Sequence, residues 1–324
     1  MKLATLNTDH PDGCLVVVSQ DNTKMSKVKS VPTMQYLMEN WQAHREELQK
    51  IYQGLNTGKI GGTNVDEKDF HSPLPRAYQF LDGSAYLRHV ELVRKARGAE
   101  MPPELKEIPL MYQGLSDTFL TPTENIPLAD ESHGLDFEGE VGVITDEVPM
   151  GITENEAEKH IKLLILINDI SLRGLIPGEL KRGFGFLQGK PASSFAPLAV
   201  TPEELKDAWR EGRIHLPFLS YLNGEWFGHP DAGAMHFSFG KLISHAARTR
   251  KLHAGAIIGS GTVSNENREV GSSCLAEKRM LEKIEEGKIK TPFMKAGDVV
   301  KMEMKNKKGE SVFGTIEQKV VSFH

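Results

Sequence analysis

The residues best placed to do chemistry lie in the run Leu135-Asp136-Phe137-Glu138-Gly139-Glu140-Val141-Gly142-Val143-Ile144. Side chains alternate along a strand, so Glu138 and Glu140 point one way while Phe137, Val141 and Val143 point the other. Two carboxylates roughly 4 Å apart in a partly buried site repel by about 4 kcal/mol at an effective dielectric near 20. A divalent cation would cancel that repulsion, and a strand face open to solvent would avoid it. On these residues alone both readings stand.

Asp169 is the next candidate. It follows the run Leu163 to Ile167, apolar on both faces, which predicts a buried strand ending in Asn168-Asp169-Ile170-Ser171-Leu172-Arg173. A buried aspartate needs a partner, either Arg173 in a structural ion pair or a shared cation. A third segment, Phe80 to His89, sets Asp82 and His89 seven positions apart. By itself His89 reads as readily as a core or surface histidine as it does as a base. Together, Asp82, Glu138, Glu140 and Asp169 make an all-oxygen donor set, which suits a hard ion such as Mg²⁺ or Ca²⁺ and disfavours zinc. Mn²⁺ is a further candidate.

Other motifs fail. Gly183, Gly185 and Gly189 precede Lys190, but a phosphate loop would need glycine at Phe184 and a hydroxyl residue at Pro191. The same glycines miss the dinucleotide spacing by one residue. His229 and His236, in a segment bearing Pro and Gly, read as loop residues rather than zinc ligands.

The elements that must position these groups follow from periodicity. Leu15 to Ser19 predicts a strand, and the spacing of apolar residues from Met34 to Leu55 predicts an amphipathic helix. The Gly- and Asn-rich stretch Asn56 to Asn64 marks the end of a small N-terminal unit, so the expected division is 1–70 for that domain and 71–324 for the catalytic one. Beyond it, short β-like runs divided by Pro and Gly predict a mainly β domain. Thr153 with Glu156, and Thr201 with Glu204, have capping-box spacing before amphipathic stretches. A further helix is expected over Phe239 to Arg250, and a hairpin turning at Asn306-Lys307-Lys308-Gly309 at the C-terminus.

Composition excludes several classes. With 324 residues a sizeable core is available, and 39 basic against 44 acidic residues leave a formal charge of −5, no field for nucleic acid. Two cysteines, Cys14 and Cys274, far apart in the chain, suit reduced thiols. The longest apolar stretch, Leu163 to Ile167, is far short of a membrane span, and the N-terminus lacks a signal-peptide core. The expectation is a cytoplasmic protein with no membrane or nucleic-acid partner.

The chain resembles the fumarylacetoacetate hydrolase family. The matching stretches are Asp82 to His89, Glu138 with Glu140, Asn168 to Arg173, Gln188-Gly189-Lys190, Ser260-Gly261-Thr262 and Gly271 to Glu277. The resemblance implies an α+β, mainly β fold, a mixed β-sandwich roll behind a small N-terminal domain, and a homodimer. It implies cation ligands at Asp82, Glu138, Glu140 and Asp169. It also implies His89 as general base oriented by Glu277, with Lys190 and Arg173 as electrophilic groups and Gln188 and Thr262 at the substrate. The implied substrate is a small 2-oxo or 2,4-dioxo acid. Against the fumarylacetoacetase pattern, Ser84 replaces a tyrosine and Ile176 a glutamine. The Arg-rich segment Gly83 to Gly98 is expected to be either a mobile lid or a surface helix.

Overall fold

A computed structural model describes residues 1–96 and 102–323. Its centre is an antiparallel strand pair, Gly139–Thr145 and Ile161–Asn168, with Glu140 opposite Ile167. Beside Gly139–Thr145 lie Ala256–Gly259, then Phe80–Gly83 running parallel to it, then Met111–Gly114. Beyond Ile161–Asn168 lie Leu198–Val200, Lys2–Leu6, Cys14–Val18 and Lys24–Lys27. The N-terminal strands thus extend the same twelve-stranded sheet that carries the candidate acids.

A five-stranded sheet, ordered Glu225–Gly228, Phe218–Leu222, Val299–Lys305, Ser311–Ser322 and Ile126–Leu128, packs against the large sheet. Val141, Leu164 and Leu166 meet Phe218, Met302 and Ile316 in the core between them. On the other face Ile144, Leu163 and Ile165 pack with Leu37, Met38 and Leu48 from the N-terminal helices. Covering both faces explains the unbroken apolar run at 163–167, since each such side chain gains about 1.5–3 kcal/mol by leaving water. Parallel pairs at Phe80–Gly83 and at Ile126–Leu128 make the fold mixed, as expected of a mainly β roll. The C-terminal hairpin forms as expected, with Gly309 at φ 82° in its turn.

Four local expectations need correction. The helix expected over 34–55 is two, Met34–Glu39 and Trp41–Asn56, broken at Asn40. The Asn40 amide donates to the Tyr36 carbonyl, a side-chain bond that competes with helix continuation. Thr201 caps nothing: its hydroxyl accepts from the Met1 ammonium, Glu204 pairs with that same ammonium, and the following turn, Pro202–Ala208, is 3₁₀. Thr153 does accept the Glu156 N–H, but its helix is a single turn, Glu154–Ala157, and the later helix stops at Ala246.

Candidate metal centre and active site

The acids converge where the central strands end. Asp82 lies at the end of Phe80–Gly83, paired with Tyr112 across the sheet and with Gly259 on its other side. Glu140 is the second residue of the central strand Gly139–Thr145, and Asp169 follows the neighbouring strand Ile161–Asn168. One carboxylate oxygen from each of Asp82, Glu140 and Asp169 lies within 4.8 Å of the others, and all three residues are buried. Gly259 lies under this cluster. A Cβ there would press on the Asp82 carboxylate and come within 3.3 Å of Glu140 Oε2.

Each acid is held differently. Tyr112 donates to Asp169 Oδ2 at 2.6 Å, Ser193 donates to Oδ1 at 2.7 Å, and the Lys190 ammonium also pairs with Asp169. Asp82 Oδ1 accepts the Gly261 N–H at 3.0 Å. Glu138 is clamped on both oxygens, by Arg173 on one and by Lys190 at 2.8 Å on the other. Glu140 is fully buried, and no donor reaches either of its oxygens.

The electrostatics follow from these contacts. Burial, then the Asp169 charge, pushes the Asp82 carboxyl up to about 7. Burial, then Asp82 and Asp169, drives Glu140 well above the usual carboxylate range. Burial also acts upward on Glu138, but Arg173 and Lys190 outweigh it and hold that carboxyl below its ordinary value. Orphaned oxygens, mutual repulsion and an all-oxygen donor set are what a hard divalent cation would relieve, so the residues fit one. Asp82, Glu140 and Asp169 would hold it, with Glu138 adjoining.

Beside the acids stands an acid–base pair. His89 sits on the helix Leu87–Ala96, and its Nδ1 lies 3.1 Å from Glu277 Oε2 on the helix Leu275–Glu286. The Glu277 helix starts just after Cys274, which bridges to Glu138, and this brings the pair alongside the acids. Lys190 is buried and lies over the Tyr112 ring. Its loop is held by Glu179, whose carboxylate accepts the N–H groups of Leu187, Gln188 and Gly189. Gln188 itself is exposed, whereas Thr262 is buried beside Gly261.

The alternatives left open by sequence resolve here. Glu138 and Glu140 do not face solvent, and Arg173 is not the partner of Asp169 but pairs with Asp136 and Glu138. Lys190 is instead the cation that pairs with Asp169. Sequence reading missed Tyr112, Ser193 and the anchoring role of Asp136. No motif announces them, although the pairing of Met111–Gly114 with Phe80–Gly83 is what brings Tyr112 in. His236 bonds the Lys106 carbonyl, and the only potential metal group among the described residues is the acid cluster. Of the expected lid, residues 87–96 form a helix, and the Gly98 end lies outside the described residues.

The buried oxygen-donor cluster and the imidazole–carboxylate pair are both carried on a mixed β roll. The chain belongs to the fumarylacetoacetate hydrolase family: residues 79–321 match the fumarylacetoacetate hydrolase C-terminal domain and residues 1–76 the fumarylacetoacetase N-terminal domain 2. It is 27% identical over 157 residues to a 2,4-didehydro-3-deoxy-L-rhamnonate hydrolase of Sphingomonas sp. strain SKA58, covering 48% of this chain and 52% of that one. It is 26% identical over 204 residues to the oxaloacetate tautomerase YisK of Bacillus subtilis strain 168, covering 62% and 64%. The matches therefore span about half to two thirds of those relatives. In fold it is similar to maleylpyruvate hydrolase from Sphingobium sp. SYK-6, solved with manganese(II) and pyruvate, at TM-score 0.65, 14% identity and full coverage of both chains. Among the described residues no helix is long and apolar enough to cross a membrane, and both thiols are free.

Proposed function

We propose that the protein hydrolyses a carbon–carbon bond in a β-diketo acid, fumarylacetoacetate or a related acylpyruvate, with a divalent cation as cofactor. What supports this reading is the buried cluster of Asp82, Glu140 and Asp169, in which Glu140 has no donor, together with the His89–Glu277 pair. Asp82, Glu140 and Asp169 would hold the ion, Mg²⁺, Ca²⁺ or Mn²⁺, and Glu138, the fourth expected ligand, adjoins it on Arg173 and Lys190. Once bound, it supplies Lewis-acid polarisation of the dioxo oxygens. With Nδ1–H donated to Glu277, the His89 Nε2 is the nitrogen left to take a proton from water, which then attacks a carbonyl. Breaking the bond to the adjacent carbon leaves an enolate, and the Lys190 and Arg173 charges favour that anion over the neutral ketone.

A second reading, a lyase or isomerase acting on a 2-oxo acid such as oxaloacetate, is supported by the oxaloacetate tautomerases among the relatives. A third, a non-catalytic protein stabilised by its cation, would have no use for the His89 base. A panel of 2-oxo and 2,4-dioxo acids, run with chelated and metal-restored protein, separates them. Acylpyruvate cleavage only with metal is expected; intact acylpyruvates beside CO₂ release or tautomer exchange in oxaloacetate would overturn the hydrolase reading. His89→Ala should lower kcat by about 10²–10⁴ while sparing metal affinity and Tm. The same reading includes a cytoplasmic homodimer, which sedimentation of the purified protein tests.

A further inference from the structure

Asp136 is wholly buried, two residues before Glu138 and outside the cation cluster. Its Oδ1 accepts the Leu275 N–H at 2.7 Å, and its Oδ2 accepts both the Ala276 N–H at 2.9 Å and Arg173 Nε at 2.9 Å. The Cys274 thiol sulfur accepts the next amide, Glu277 N–H, at 3.3 Å. One carboxylate thus satisfies two of the orphan donors at the start of the helix that carries Glu277, while gripping the guanidinium that clamps Glu138. Strand pairing of Leu135–Asp136 with Ser171–Leu172 fixes the same geometry from the backbone side.

We infer that Asp136 is a positioning residue that locks Arg173 to the first turn of the Glu277 helix, so that the electrophilic and acid–base halves of the site hold one fixed spacing. This rests on the roles proposed above for His89, Glu277 and Arg173. The variant Asp136→Asn keeps the size and one acceptor but loses the charge. It should lower kcat about tenfold or more, with KM changed less than about threefold, and should cost clearly less than that in a Glu277→Gln background. Independently of any substrate, the ¹⁵N shifts of the His89 ring should move toward those of an imidazole released from Glu277. Ala276→Pro deletes one of the donated N–H groups in a first-turn position that tolerates proline and should move the same shifts if Asp136→Asn does not fold. Unchanged kcat and unchanged His89 shifts in the folded variants would overturn the inference, as would a full additive loss on top of Glu277→Gln. Inactivity of the wild-type protein on every acid tested would sink the proposed function instead and leave the His89 shifts to decide this point.

Discussion

Glu138 and Glu140 lie two residues apart on one face of one segment, and their surroundings are opposite. Glu138 has a cation on each oxygen, whereas Glu140 has no donor on either. The first carboxylate is stabilised in its charged form by the protein itself. The second is charged only at the protein's expense, and a metal site needs that kind of deficit, because compensation already complete leaves an incoming ion nothing to gain.

Removing each acid should therefore move metal-free stability in opposite directions. Glu138→Gln removes one of the two carboxylates of both Arg173, which keeps Asp136, and Lys190, which keeps Asp169, and should destabilise the protein by about 1–3 kcal/mol, read as a fall in the denaturant midpoint. Glu140→Gln removes a buried carboxyl that ionises only against Asp82 and Asp169, and should stabilise the metal-free protein by roughly 1–3 kcal/mol at a pH high enough to ionise it, while calorimetry shows cation binding lost. Destabilisation by both would break the comparison. Gly259→Ala pushes on Asp82 from beneath the cluster and should weaken cation binding about 10–100-fold, the range typical of supporting residues, with Glu138 and its cations untouched.

The smallest effect is in pH. The Asp82 carboxyl, raised to about 7, binds its proton more tightly folded than unfolded, where its value is about 3.9. Its contribution is thus most favourable below about pH 4 and is lost as pH rises toward 7. Glu138, depressed, has the reverse sign: its contribution is present above its unfolded value near 4.3 and lost as pH falls. Chelated protein should show Tm falling by a few degrees from pH 5 to 8, and Asp82→Asn should flatten that slope. Saturating Mg²⁺ or Mn²⁺ should also remove it, by binding the folded state alone.

Much of the fold was legible because it rests on local periodicity. The apolar run at 163–167 announced a doubly covered strand, and alternation put Glu138 and Glu140 on one face. The failures are of another kind. Asn40 breaks a helix whose apolar spacing continues across it, and Thr201 gives its hydroxyl to a group 200 positions away. Capping-box spacing records what a hydroxyl can do locally, not which donor reaches it first. Arg173 was offered to Asp169 because the two are neighbours in sequence, yet it turns to Asp136 and Glu138.

By themselves, the residues determined which groups are acids, which segments must be buried and which side chains share a strand face, because those depend on residue type and a period of two. Tertiary structure alone decided who compensates whom: Lys190 for Asp169, Arg173 for Asp136 and Glu138, nothing for Glu140. A charge is neutralised by whatever the fold carries to within a few ångströms in a dry interior, and sequence separation has no part in that distance.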